Sequence, residues 1–159
     1  RQMCIRDSPT ADQLAQIAIS VSKQAKLMGH TPRVALLSFS NFGNPSGPST
    51  DHIVQAIKKL DSMDVDFEYD GEMSAEVALN YDLQKQRYPF CRLTGPANIL
   101  IMPGLHSANI SFKLMQQLGG GSVIGPMLMG SQHPFQIVQM GAQVNDIVNA
   151  AAMAVYETL

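Results

Sequence analysis

The chain has 159 residues, of which 15% are charged and 45% hydrophobic, and its net charge is −2. That length fits one domain able to bury a core, and a near-neutral chain whose Arg and Lys do not gather with aromatic residues gives no reason to expect a nucleic acid. No apolar run reaches the ~18 residues of a membrane span, and the first residues lack the apolar stretch of a signal peptide, so a cytoplasmic protein with no membrane partner is expected.

Residues 1–8 (RQMCIRDS) show no period and read as a tail or as sequence foreign to the domain. Ser8 and Pro9 offer an N-cap and a first helical position. Leu14, Ile17, Ala18, Val21, Ala25 and Met28 then mark one face of a helix that stops at Gly29. Residues 34–39 (VALLSF) form an apolar strand of the kind covered on both faces. A loop rich in Gly, Ser and Pro follows over 40–49 and leads into a helix near Thr50 and Asp51, with Ile53, Val54, Ile57 and Leu60 inward. Such a loop can cradle a phosphate, but there is no Lys in P-loop position and no GxGxxG spacing; a loop that merely connects and caps is the competing reading.

Residues 65–69 (VDFEY) alternate and predict an edge or half-exposed strand, with Asp70 and Gly71 turning the chain. Ser74 caps a short helix through Ala78, and 81–87 is polar and irregular. The chain is organised around the next stretch, residues 88–130. Pro89, Gly95 and Pro96 punctuate a loop, and 98–102 is a short apolar strand closed by Pro103 and Gly104. Ser107 then stands where a helix N-cap would stand. Ile110, Leu114, Met115 and Leu118 follow at helical spacing, and Gly119 stops the helix. A strand over 122–124 would complete a βαβ unit with parallel strands, ended by Gly125 and Pro126. Another short strand is expected over 135–138, broken by Gly141. The last helix carries Val144, Ile147, Val148, Ala151 and Val155 inward. The expected fold class is therefore α/β, a mostly parallel sheet flanked by helices on both faces.

In such a sheet, ligands collect at the carboxyl ends of strands, where helix N-termini present free N–H groups. The turn from Pro103 to Asn109 and the turn after Gly125 occupy such places, although most such turns bind nothing. The histidines make no HxH or HExxH pattern, and Cys4 and Cys91 make no metal or redox motif, so no metal is expected. His106 either touches a ligand or plays a hydrogen-bonded structural part. Lys85, Arg87 and Arg92 lie near Tyr88 and could meet an anionic ligand; a solvated surface patch is the alternative. The low charge content suggests that part of the surface is covered by a partner subunit or a further domain.

The block TGPANILIMPGLHSANISFKLMQQLGGGSVIGPMLMG closely resembles the phosphate acetyl/butyryltransferase family. SFSNFGNP (38–45), YPFCRLTGPAN (88–98) and LHSANIS (105–111) resemble more narrowly the C-terminal acyltransferase-like domain of bacterial NADP-dependent malic enzymes. The likeness runs from Pro9 to Leu159. It implies two α/β subdomains with an active site in the cleft between them, and chains that dimerise. This sequence matches the C-terminal part, so the first subdomain and the malic portion, which would hold NADP, malate and a divalent metal, are expected elsewhere. The resemblance implies no cofactor in the fragment itself, with acetyl-CoA as an effector that lowers malic activity and a homo-oligomer as the assembly.

Active transferases of the family carry Ser-Arg-Gly and then an Asp-Asp pair ahead of the last helix. Here the Ser position is Gln139, the Arg position Met140 and the first Asp position Asn145; Asp146 alone matches. An amide has no useful basicity toward a thiol, and a thioether cannot hold phosphate or developing negative charge. In the preceding turn Gly104 and His106 depart from the transferase pattern, while Asn109 and Lys113 match it. The resemblance thus points to His106, Ser107, Asn109, Lys113, Gly125, Pro126 and Asp146 as contacts for an acyl-CoA, with no catalytic residue retained. An active transferase between CoA and phosphate, or a purely structural dimerisation module, are the competing expectations.

Overall fold

A computed structural model describes residues 8–119, 123–127, 133, 135–138 and 140–156. Its elements in chain order are α1 (Ala11–Leu27), β1 (Arg33–Leu37), α2 (Pro48–Asp61), β2 (Glu68–Met73), α3 (Ala75–Leu79), α4 (Tyr81–Arg87), β3 (Ile99–Ile101), α5 (Leu105–Leu118) and α6 (Val144–Tyr156). The chain divides into two compact units, and the division falls between Ile110 and Ser111, inside α5. Among the described residues no helix is long and apolar enough to cross a membrane.

The first unit is built on a parallel sheet of order β2-β1-β3. The central strand β1 explains the apolar run in the sequence, because Val34, Ala35, Leu36 and Leu37 are all buried. Alternate residues serve opposite faces. Val34 and Leu36 pack with Leu14 and Ala18 of α1 and Ile53, Ile57 and Leu60 of α2. Ala35 and Leu37 pack with Met73, Val77, Leu93 and Ala97. Helices therefore cover both faces of an α/β sheet, as expected.

Several local boundaries differ from the sequence expectation, each for a physical reason. Helix α1 is capped by Thr10, not Ser8: its hydroxyl accepts from Gln13 N–H at 3.3 Å and the Gln13 side chain accepts from Thr10 N–H at 2.9 Å. This reciprocal pair satisfies two otherwise orphaned donors. Helix α2 begins at Pro48, with Gly47 as its cap. Strand β2 starts later than expected and runs through Asp70 and Gly71, which do not turn the chain. The register between β1 and β2 shifts after Leu36, and a Cβ on Gly71 would lie 2.6 Å from Leu36 O. With φ at +151°, only glycine suits that place. Residues 81–87 are helical, capped by the Asn80 side chain accepting from Leu83 N–H at 3.0 Å. The inward residue of α4 is Gln84, an amide that donates to Val77 O at 3.3 Å, so no apolar period announces the helix. Ser74 does cap α3, accepting from Val77 N–H.

Ser107 is not an N-cap. Helix α5 starts at Leu105, Gly104 O accepts from Ala108 N–H at 3.1 Å, and the Ser107 hydroxyl donates back to Gly104 O at 2.8 Å. The strand expected over 122–124 falls partly on Ser122, outside the described residues, and Val123 and Ile124 are not in a strand; nor are residues 135–138. The described parallel neighbour of β3 is β1.

Candidate functional site

The stretches that resemble known sequences proved to be largely scaffold. In the 38–45 block, Glu72 is the organiser. It is buried, and its Oε1 accepts from the Ser40 hydroxyl at 2.8 Å and from Gly43 N–H at 2.7 Å, while its backbone O accepts from Phe42 N–H at 2.8 Å. Asn41 adds a bond from Ser74 N–H to its Oδ1 at 2.8 Å. The N–H groups of Phe42 and Gly43, which a phosphate would need, thus already serve a carboxylate and a carbonyl of the chain itself. A second anion placed there would meet the charge of Glu72.

The TGPAN block is tied down in the same way. Glu68 accepts from both Thr94 N–H and the Thr94 hydroxyl, at 2.8 and 2.7 Å. Arg33 donates to Pro96 O at 2.8 Å, and Asn98 links Arg33 N–H to Thr31 O. Arg92, offered by the sequence as a partner for an anionic ligand, is held by carboxylates of its own chain. It pairs with Asp61 at 2.5 Å and Asp70 at 3.4 Å and lies 4.6 Å from the centre of the Tyr69 ring. Lys85 lies over the Tyr81 ring at 5.2 Å. Among the described residues no group of three or more His, Cys, Asp or Glu side chains could hold a metal ion.

Three of the residues singled out from the sequence come together in the second unit. Gly125, Pro126 and Asp146 line a cleft of about 200 Å³. Its walls are the stretch 123–127, the stretch 136–138, Gln116 of α5, Gly141 and Ala142, and the face of α6 formed by Asp146, Asn149, Ala150 and Met153. That face repeats every three to four residues, as one side of a helix does. Gly125 takes φ +135°, a conformation that a side chain would strain. Asp146 Oδ2 accepts from Gln143 N–H at 2.9 Å, and Gln143 O accepts from Asp146 N–H at 3.0 Å. The carboxylate therefore belongs to the wall of the cleft and to the first turn of α6, where negative charge is stabilised.

The other singled-out residues are placed as follows. His106, Ser107 and Asn109 lie in the opening turns of α5, in the first unit, with His106 and Asn109 exposed. Lys113, in the second unit, is exposed, lies 5.5 Å from the centre of the Phe112 ring and is not in the wall of the cleft. Met140 and Asn145 are exposed and also lie off the wall. Gln139 lies outside the described residues. The sequence reading missed Gln116, Asn149 and Met153. The signal for Asn149 and Met153 was the α6 stripe Asp146, Asn149, Ala150, Met153, which is polar at one end and was eclipsed by the more apolar stripe on the same helix; Gln116, on α5, had none. That apolar stripe was expected inward, yet Val144, Ile147, Val148 and Val155 are exposed, by 51–74%.

Comparison with known proteins adds to this geometry. The sequence pattern of the family described as phosphate acetyl/butaryl transferase matches residues 3–155. The NADP-dependent malic enzyme of Rhizobium meliloti (strain 1021) is 52% identical over 152 residues, covering 96% of this chain and 20% of that protein. The phosphate acetyltransferase of Clostridium acetobutylicum is 33% identical over 154 residues, covering 96% of this chain and 46% of that protein. The crystal structure of a phosphotransacetylase from Streptococcus pyogenes superposes with a TM-score of 0.90 at 31% identity, covering 98% of this chain and 47% of that one. The chain thus spans about a fifth of that malic enzyme and about half of these two transferases.

Proposed function

The chain belongs to the phosphate acetyl/butyryltransferase family, and from that premise we propose that it is the C-terminal part of an NADP-dependent malic enzyme, binding acetyl-CoA as an effector without transferring its acetyl group. Its identity to a malic enzyme, 52% against 33% for the transferase, favours the first half of this reading. The observation that carries the second half is the state of Asp146. It is the one acid left of the transferase pair, and one of its oxygens is engaged with the N-terminus of its own helix. Asn145 beside it offers no base, and the Met140 thioether offers no charge to phosphate. With the proton acceptor and cation both replaced, a loss of ~100-fold or more for each such group puts transfer out of reach. Binding relies on the shape of the cleft and on polar groups that remain.

The experiment uses the complete malic enzyme. Acetyl-CoA should slow malate oxidation, and removal of this C-terminal part should abolish that inhibition while leaving oxidation running. Inhibition that survives the removal would overturn the effector role. NADP and a divalent metal belong, in this reading, to the malic portion, and no step here runs through them.

The likeness to phosphate acetyltransferases favours a second reading, an active acyltransferase between CoA and phosphate. A coupled assay with acetyl phosphate and CoA separates the two: turnover well above blank selects the second, and none selects the first. Association of copies of the chain is part of the first reading, supported by the exposed apolar stripe on α6. Sedimentation of the complete protein should give a species larger than one chain.

A further inference from the structure

Resting on the reading of the second-unit cleft as an acyl-CoA site, we propose that the cleft takes the uncharged acyl-thioester and amide end of that ligand and excludes phosphate. Charge is the first ground. From Ser111 to Leu159 the sequence contains one lysine, Lys113, and no arginine. Lys113 is exposed and off the wall of the cleft, and none of the described lining residues is cationic. Among the described lining residues the one charged group is a carboxylate, Asp146. A phosphate placed there would find repulsion and no guanidinium or ammonium to offset its lost hydration.

Chemistry is the second ground. The wall includes Gln116 and Asn149, whose side chains are carboxamides, beside the apolar Ile137 and Met153. Carboxamides offer both donors and acceptors, which match the N–H and C=O of an amide in the ligand. The thioether and aliphatic groups suit a thioester sulfur and a short acyl chain. Size is the third ground. At about 200 Å³ the cleft is smaller than the ~300–1,000 Å³ that encloses a drug-sized ligand. It has room for a fragment such as an acylated thiol with an amide, and not for a nucleotide.

The probe is S-acetylpantetheine, which has the thioester and amides of acetyl-CoA but no phosphate, titrated calorimetrically into the full chain beside acetyl-CoA. S-acetylpantetheine should bind and compete with acetyl-CoA, and a large excess of inorganic phosphate should leave its Kd within about twofold. Asn149→Leu should weaken S-acetylpantetheine about tenfold, the effect of one lost hydrogen bond at ~1.4 kcal/mol. Should that variant fail to fold by circular dichroism, Gln116→Leu makes the same test from α5. If acetyl-CoA itself gives no binding, the effector reading of the cleft fails. If acetyl-CoA binds but S-acetylpantetheine does not, or phosphate displaces S-acetylpantetheine, or both amide variants bind as the parent does, the present inference fails while that reading stands.

Discussion

Cys91 shows how far environment can move a single group. Partial burial against the Ala35 and Leu37 side of the core is the main cause, and the nearby Asp70 charge adds to it, so the thiol is pushed up to about 11 against weaker opposition from Leu93 and Arg92. Near pH 8 its thiolate population should fall by roughly two orders of magnitude below that of a peptide thiol titrating at ~8.5. In a Cys4→Ser background, reaction with a disulfide reagent at pH 8 should be slowed by about that factor; a rate like that of a free thiol would contradict the assigned burial. Asp61 moves the other way. Burial works to raise its carboxyl, but bonds from Arg92 and Tyr69 and the Arg92 charge outweigh it, and the net shift is downward. A carboxyl depressed in the folded state stabilises above its unfolded value of ~3.9 and loses that contribution as pH falls through the folded value. Asp61→Asn should therefore be less stable than the parent near neutrality, with the gap closing as pH drops below about 4. Asp61 is half exposed, so solvent screening holds the gap to about 1 kcal/mol or less. Chemical denaturation across that range measures it, and a gap independent of pH would rule out the Arg92 pairing as its source.

At the scale of elements, the sequence was most legible where one periodic signal met one cap. The buried strand β1, the faces of α1 and α2, and the Ser74 cap of α3 were readable because apolar period and local hydrogen bonding agreed. Helix α4 was not, because its inward residue is the amide Gln84. Strand β2 was misread because Asp70 and Gly71 look like a turn, and only the approach of Leu36 explains a glycine inside a strand. Gly71→Ala should accordingly cost at least about 3 kcal/mol, combining backbone strain with overpacking. Equilibrium unfolding tests this, and a cost under about 1 kcal/mol would mean that β2 can shift away from β1. Glu72→Leu should cost about 2–3 kcal/mol by leaving Ser40 and Gly43 without their acceptor. It should also make the 38–45 loop more susceptible to proteolysis than the loop at 88–98, which is tied by other residues.

At the scale of the whole molecule, the two units differ in how much apolar surface they bury. Among the described residues, every buried hydrophobic side chain lies at or before Ile101. The apolar positions of the later helices are exposed, Leu118 by 81% and Val144 by 74%. The sequence displayed those stripes plainly, through their period, but a period says only that a face seeks cover, not which surface supplies it. The candidate site suffered the same ambiguity: Gly125, Pro126 and Asp146 could be named from the resemblance, while Asn149 and Met153 depend on which side of α6 the cleft occupies. This asymmetry has a measurable consequence, because local opening free energy follows buried apolar contact. In the chain alone, amides of β1 should exchange with solvent at least about a hundredfold more slowly than those of α6. Leu36→Ala should cost about 2–5 kcal/mol, whereas Leu118→Lys should stay within about 0.5 kcal/mol. In the complete protein the expectation for α6 reverses. If its apolar stripe is covered there, its amides should become protected and Val148→Asp should disrupt association while leaving the exchange of β1 unchanged. Equal exchange of α6 in the chain and in the complete protein would mean that the stripe stays exposed to water, and the low charge content of the sequence would then need another explanation.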